Sequence, residues 1–298
     1  MAENQYTFDN PVDRYPTIKP DAKQVPEPGL ESDLQPGADL GEESYVGSGR
    51  LTGRKAIVTG GDSGIGAATA IAFAREGADV AIVYLPEEEE DAQRIAGLIR
   101  DAGRTAVTIA GDLKDRAFSD EIVSRAVAEL GGIDILVNNA GKQIAQESLT
   151  DITDEQFDHT MKTNIYGMFW LTRAALPHLP AGATIINTTS IQAYQPGEQL
   201  VDYATTKAAI NTYSKALAQQ VAGQGIRVNV VAPGPFWTPL QVSGGQPVDK
   251  LPDFGAQSEL GRAGQPAELA GAYVYLATGE SSYTTGSTLS VTGGSPTP

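Results

Sequence analysis

Cysteine is absent from the 298 residues, which removes disulfides, thiolate nucleophiles and cysteine-held metals together. Histidine is nearly absent. Only His159 and His178 are present, in no metal-ligand spacing and with no placement that would activate a nucleophile, so a zinc site and a triad hydrolase are set aside and no metal is expected. Basic residues are scarce as well: 21 Lys+Arg stand against 37 Asp+Glu, and the formal net charge of -16 argues against nucleic acid and anionic membrane surfaces as partners. No apolar run is long enough to span a bilayer, and no charged n-region leads into an apolar h-region at the start. The expectation is a soluble, cytoplasmic protein.

What is present divides into two materials. Residues 1–50 carry Pro11, Pro16, Pro20, Pro26, Pro28 and Pro36, an excess of acids and no apolar period, which reads as an extended arm. Tyr6, Phe8, Tyr15, Ile18, Val25 and Leu34 are scattered through it as anchors, so docking onto the body or a neighbouring subunit is favoured over a solvating tail. Residues 51–298, in a chain 41% hydrophobic, can bury one large core, and a single domain is expected there.

From Arg54 onward short apolar runs alternate with helix-favouring segments. KAIVTGG, ADVAIVYL, TAVTIAGD, IDILVNNAG, ATIINTTS, IRVNVVAPG and STLSVTGG read as strands; the segments between them, including 115–130, 154–179 and 266–277, read as helices. Strands that are continuously apolar rather than alternating imply burial on both faces. The fold class is therefore α/β, a doubly wound parallel sheet of about seven strands, Rossmann-type, preceded by the arm.

Two local patterns carry chemistry. The turn after the first strand reads Thr59-Gly60-Gly61-Asp62-Ser63-Gly64-Ile65-Gly66, and a glycine-rich turn between a strand and a helix lets backbone N–H groups approach a pyrophosphate. Farther on, Tyr203 and Lys207 lie four apart in the helical segment DYATTKAAINTYSKALAQQV and so leave the same face one turn apart. Ser190 ends a strand at its C-terminal tip, the edge at which ligands bind in a parallel sheet. An ammonium beside a phenol favours the phenolate, so the tyrosine pKa is expected to fall toward the working range of a general acid/base.

TGGDSGIG, NNAG at 138–141, Asn164 in KTNIYG, Ser190 with Tyr203 and Lys207, and PGP at 233–235 followed by Thr238 together resemble the short-chain dehydrogenase/reductase superfamily over about residues 54–294. The arm adds a resemblance to a bacterial subgroup with an N-terminal extension, likened to glucose and general-stress dehydrogenases. The resemblance implies catalytic roles for Asn164, Ser190, Tyr203 and Lys207. Tyr203 would exchange the proton, Lys207 would lower its pKa and hold the nicotinamide ribose, Ser190 would hold the reacting oxygen, and Asn164 would fix a water behind Lys207. It also implies a dinucleotide cradle built from Gly60, Asp62, Ser63, Gly64, Ile65 and Gly66, then Tyr84 and Leu85, Asp112 and Leu113, Asn138, Ala140 and Gly141, Pro233, Gly234 and Thr238, together with Tyr203 and Lys207. Asp112 reads equally well as a turn residue.

Tyr84 and Leu85 stand where an acid commonly bonds the ribose 2′-hydroxyl, and no basic residue replaces them. Asp62 and the run Glu87 to Asp91 put negative charge nearby, so of NAD(H) and NADP(H) the former is favoured, although the run serves mainly as a solvated first helical turn. Gln192, Tyr194 and Trp237 are candidates to line a pocket for a small polar alcohol or carbonyl compound such as a sugar, polyol or aldehyde. The expected protein is an NAD(P)-dependent oxidoreductase, with a homotetramer implied by the resemblance. The alternative is a catalytically silent dinucleotide-binding regulator, which would have lost Tyr203 or Lys207; both are present.

Overall fold

The computed structural model describes residues 4–297. Its frame is a sheet of seven parallel strands: β1 (Lys55–Thr59), β2 (Asp79–Tyr84), β3 (Ala106–Ala110), β4 (Ile135–Asn138), β5 (Thr184–Thr188), β6 (Arg227–Pro233) and β7 (Thr288–Val291). They lie in the order β3-β2-β1-β4-β5-β6-β7. The chain thus winds outward in one direction from β1 and in the other from β4. The crevice at the carboxyl ends of β1 and β4 is the switch point at which such sheets bind ligands.

The inner strands divide their side chains between two cores. Ala56 and Val58 of β1, Val80 and Ile82 of β2, and Ile135 and Val137 of β4 join one cluster with α1 (Gly64–Arg75), α2 (Glu89–Asp101) and α7 (Pro266–Ala277). Ile57, Ala81, Val83 and Leu136 point the other way, into a cluster with α3 (Arg116–Leu130), α5 (Met168–Ala175) and α6 (Val201–Val221). Two covered faces explain why the strands read as unbroken apolar runs.

The segment expected as one helix over 154–179 is interrupted. α4 (Asp154–Met161) passes into a π-helical stretch, Lys162–Gly167, before α5, and a 3-10 turn, Leu176–His178, closes it. Asn164 lies in the widened stretch with its amide committed outside the helix, and such insertions cluster at functional sites.

The arm lies on the body. Ile18 and Leu34 are buried with Trp237, Val242, Leu251 and Ala263, and Val25 packs against that cluster. Leu40, Tyr45 and Leu51 enter the main core, and the Tyr15 hydroxyl donates to Asp39 at 2.6 Å. Tyr6 and Phe8, expected as anchors, are exposed, because the stretch before Tyr15 is held mainly by polar contacts such as Arg262 to the Pro11 carbonyl at 2.7 Å. Removing residues 1–48 should therefore lower the melting temperature by several degrees in a thermal scan; an unchanged curve would reject a stabilising role. Among the described residues no helix is long and apolar enough to cross a membrane.

Candidate active site

The β5 tip and the start of α6 converge beside the switch point. Ser190, two residues past β5, caps a short 3-10 turn by accepting from the Gln192 N–H at 3.2 Å, and its side chain lies near enough to the Tyr203 phenol to favour the phenolate. Tyr203 sits in the first turn of α6, whose start is fixed by the buried carboxylate of Asp202. That group accepts from the Tyr203 N–H at 2.7 Å, from Thr160 of α4 at 2.9 Å and from Gln156 at 3.2 Å. One turn on, the Lys207 ammonium donates to the Thr188 carbonyl at 2.9 Å and lies over the Tyr203 ring, 5.3 Å from its centre.

Asn164 meets this group from behind. Its Oδ1 accepts from the Lys142 N–H at 2.7 Å, and its Nδ2 donates to the Lys142 carbonyl at 2.9 Å and to Thr206 Oγ1 at 3.0 Å. A Cβ on Gly141 would stand 3.4 Å from Lys207 Nζ and 3.6 Å from Asn164 Oδ1, so backbone, lysine and amide share one small space. A cavity of about 10 Å³ opens there among Thr59, Asn138, Asn164 and Thr188. That volume matches one water held by polar partners.

At the other end of the crevice the glycine turn is built for close approach. Gly60 has φ +61°, and a Cβ on Gly66 would stand 1.7 Å from the Gly60 carbonyl oxygen, so only glycine permits the turn to fold under the head of α1. Asn139 ties this turn to β4: its N–H donates to Thr59 Oγ1 at 2.9 Å, and its Nδ2 to the Thr59 carbonyl at 3.2 Å. Asp62 is 1% exposed with both carboxyl oxygens unpartnered. A glycine cradle beside free buried acceptors fits a dinucleotide, whose phosphates and ribose hydroxyls need those two kinds of partner.

Residues 60–295 match the family described as enoyl-(acyl carrier protein) reductase. The chain belongs to the short-chain dehydrogenase/reductase superfamily. It is 57% identical to the uncharacterized oxidoreductase YghA of Escherichia coli (strain K12), covering 96% of this chain and 97% of that one. It is 41% identical to glucose and ribitol dehydrogenase of Daucus carota, covering 92% and 96%. A short-chain dehydrogenase from Burkholderia cenocepacia J2315, solved in complex with NADP, superposes with a TM-score of 0.76 at 34% identity, covering 82% of this chain and 98% of that one. This short-chain dehydrogenase/reductase is thus an NAD(P)-dependent oxidoreductase of small alcohol and carbonyl compounds.

Several side chains of the dehydrogenase stand elsewhere than the sequence suggested. Burial pushes the Tyr203 phenol up to about 12, with nearby Ser190 drawing it only part of the way back, and pushes Lys207 down to about 8. The expected depression of the tyrosine is absent because the ammonium faces the Thr188 carbonyl and the ring rather than the phenolic oxygen, so desolvation dominates. Trp237, expected at the substrate pocket, is fully buried and donates to the Pro36 carbonyl at 2.7 Å. The Tyr194 hydroxyl turns to Thr288 at 3.3 Å, and Gln192 spends its amide oxygen on the Gly197 N–H at 2.6 Å.

In the cradle, Asn138 donates to Asn187 at 2.8 Å and Thr172 at 3.1 Å, pinning β4 to β5 and α5, while Asn139 reaches the glycine turn in its place. Asp112 behaves as a turn residue, accepting from the Lys114 N–H at 2.8 Å. Thr238 packs on Gly64, Leu113 on Gly167, and Gly234 on the backbone of Thr292. Ser63 precedes the first turn of α1, with Ile65 inside it; Ala140 follows β4, and Pro233 ends β6. Tyr84 is buried with its phenol on Glu89 at 2.7 Å, and Leu85 donates its N–H to Glu88 at 2.8 Å. The acidic run is therefore only partly a solvated turn. Asp91 is buried, and Glu88 is folded back to the β2 tip, where burial and then the charge of Asp62 push it up to about 8.

Proposed function

We propose that this oxidoreductase interconverts a small polar alcohol, such as a sugar or polyol, and its carbonyl form with NAD(H), and that Tyr203 is the general acid/base. The observation that carries the reading is the convergence of three residues: Ser190 just past the β5 tip, Tyr203 in the first turn of α6, and Lys207 one turn behind with its ammonium 5.3 Å from the Tyr203 ring centre. The nicotinamide, when bound, supplies or accepts the hydride. Tyr203 gives its proton to the substrate oxygen in reduction and takes it back in oxidation, while Ser190 orients that oxygen. The Lys207 ammonium, held on the Thr188 carbonyl beside the Tyr203 ring, stabilises the phenolate left behind only by turning toward its oxygen, and Asn164 with the adjoining small cavity offers a route by which a proton returns.

Dinucleotide choice rests on the chain's own acids. Asp62 and Glu88 bring two carboxyl groups together at the β2 tip, where they can bond ribose hydroxyls; Glu88, pushed up to about 8, is mostly protonated near neutral pH, so Asp62 carries the like charge that a 2′-phosphate would meet. Titration of the purified protein should show NADH binding roughly tenfold or more tighter than NADPH, as a like-charge cost of about 1–3 kcal/mol implies. A clear NADPH preference would overturn this choice and leave the Tyr203 assignment standing; one structural relative is solved in complex with NADP.

Assembly belongs to the same reading. Phe157, Tyr166 and Phe169 are exposed along α4, the π stretch and α5, and we assign this side to a homotetramer in the cytoplasm. Light scattering should give four times the 31.2 kDa chain mass; a monomer would refute it.

A further inference from the structure

The arm does more than pack. Between Glu27 and Pro36 it forms a strap with both ends fastened near the cofactor crevice: Glu27 pairs with Lys142, Oε2 at 2.6 Å, and the Pro36 carbonyl accepts from Trp237. Val25 donates its N–H to the Val242 carbonyl at 2.9 Å. Gly29, at φ +49°, lies so close to Ser243 and Pro239 that a Cβ would stand 2.8 Å from the serine Cβ. This strap carries Glu31 to the glycine turn, where Oε2 accepts from the Gly64 N–H at 2.9 Å. Gly64 is the first residue of α1, and the N–H groups at such a helix head are the donors a dinucleotide's pyrophosphate uses.

Glu31 is poorly compensated in that position. Its Oε1 is buried without a partner, and the groups facing it are Asp91, whose Oδ2 accepts from the Glu31 N–H at 2.8 Å, Glu42 and Arg94. Arg94 is itself committed to Glu42 at 2.9 Å. Asp62, in the same turn as Gly64, adds two more buried unpartnered oxygens, beside Glu88. Burial pushes Glu31 up to about 7 and Asp62 up to about 6. A carboxylate crowded by other carboxylates, on a donor suited to phosphate, is an arrangement that a better-matched anion can displace.

We propose that the arm is an autoinhibitory strap: Glu31 occupies the head of α1 in place of a cofactor phosphate, and a dinucleotide binds by displacing it from Gly64. The proposal rests on the dinucleotide reading of the crevice and adds its regulation. Apparent affinity is then the intrinsic affinity reduced by the fraction of molecules whose strap is open.

The test uses the full chain and NADH. Relative to the unaltered protein, Glu31→Gln and Glu31→Ala should each bind NADH more tightly, by about two- to fivefold, the usual value of a carboxylate at a helix head. In the unaltered protein, saturating NADH should speed backbone hydrogen exchange across residues 27–36, and in Glu31→Ala that exchange should be fast before NADH is added. Weaker or unchanged NADH binding in both variants would overturn the proposal. So would slower exchange of 27–36 on adding NADH, because Glu31 would then be holding the cofactor rather than yielding to it. The exchange measurement needs no variant, so it decides even if a substitution prevents folding. If the unaltered protein binds neither NADH nor NADPH, the dinucleotide reading itself fails, and the strap with it.

Discussion

Tyr203→Phe should lower turnover by roughly 10²–10⁴-fold while leaving NADH affinity within about threefold, because proton exchange by a placed side chain contributes on that scale. The substitution removes one oxygen and little volume. The α6 start stays anchored through Asp202, and Lys207 keeps its bond to the Thr188 carbonyl. A packing role alone would therefore leave turnover near its original value, and that result would reject the assignment. The pH profile offers an independent reading. With the phenol pushed up to about 12 by burial, alcohol oxidation, which needs the phenolate, should accelerate as pH rises through the alkaline range, while carbonyl reduction should hold until pH nears that value and only then slow. In the phenylalanine variant both limbs should flatten.

The second large effect is expected at Glu76, far from any reacting group. This carboxylate at the end of α1 is buried and takes the Tyr45 hydroxyl at 2.7 Å, the Ser48 N–H at 2.9 Å, the Arg50 N–H at 3.1 Å and two guanidinium nitrogens of Arg50 at 2.6 and 3.0 Å. Burial alone would raise its pKa; the bonds from Arg50, Tyr45 and the two backbone N–H groups outweigh that and hold it down at about 2. Breaking such a buried pair costs about 3–5 kcal/mol, so Glu76→Ala should lower the melting temperature by roughly 6–20 °C. The sign with pH follows from the depressed pKa. The stabilisation is complete above the unfolded carboxyl's value near 4.5 and is lost as pH falls through about 2, so the gap between the unaltered protein and Glu76→Ala should close in acid. A loss of less than about 2 °C at neutral pH would show that the hub is replaceable.

The fold was legible because the information that sets it is local and repeated. Seven apolar runs with glycine-bounded helices between them leave a parallel doubly wound sheet as the economical arrangement, and the strand order agrees. Ser190, Tyr203 and Lys207 were legible for a similar reason, since helical spacing and a strand tip fix their relation. What escaped was decided by contacts across long sequence separations. Glu31 lies 33 residues before Gly64, and no periodicity announces that their atoms meet. Trp237 looked like a pocket residue because its loop is rich in Gly, Pro and Gln, yet its indole is claimed by a carbonyl 201 residues earlier. The pKa of Tyr203 was misjudged in sign because spacing brings the lysine near but says nothing of burial or of which acceptor the ammonium chooses.

Trp237 bears on how this enzyme could be re-engineered. The loop it opens, which runs toward Ala263, rests on Ile18, Leu34 and the Pro36 carbonyl, so its shape is templated by the opposite end of the polypeptide. Grafting that loop from a donor protein without a matching leader would leave the transplanted segment with no mould. A working chimera should therefore exchange residues 18–36 together with the 237–263 loop.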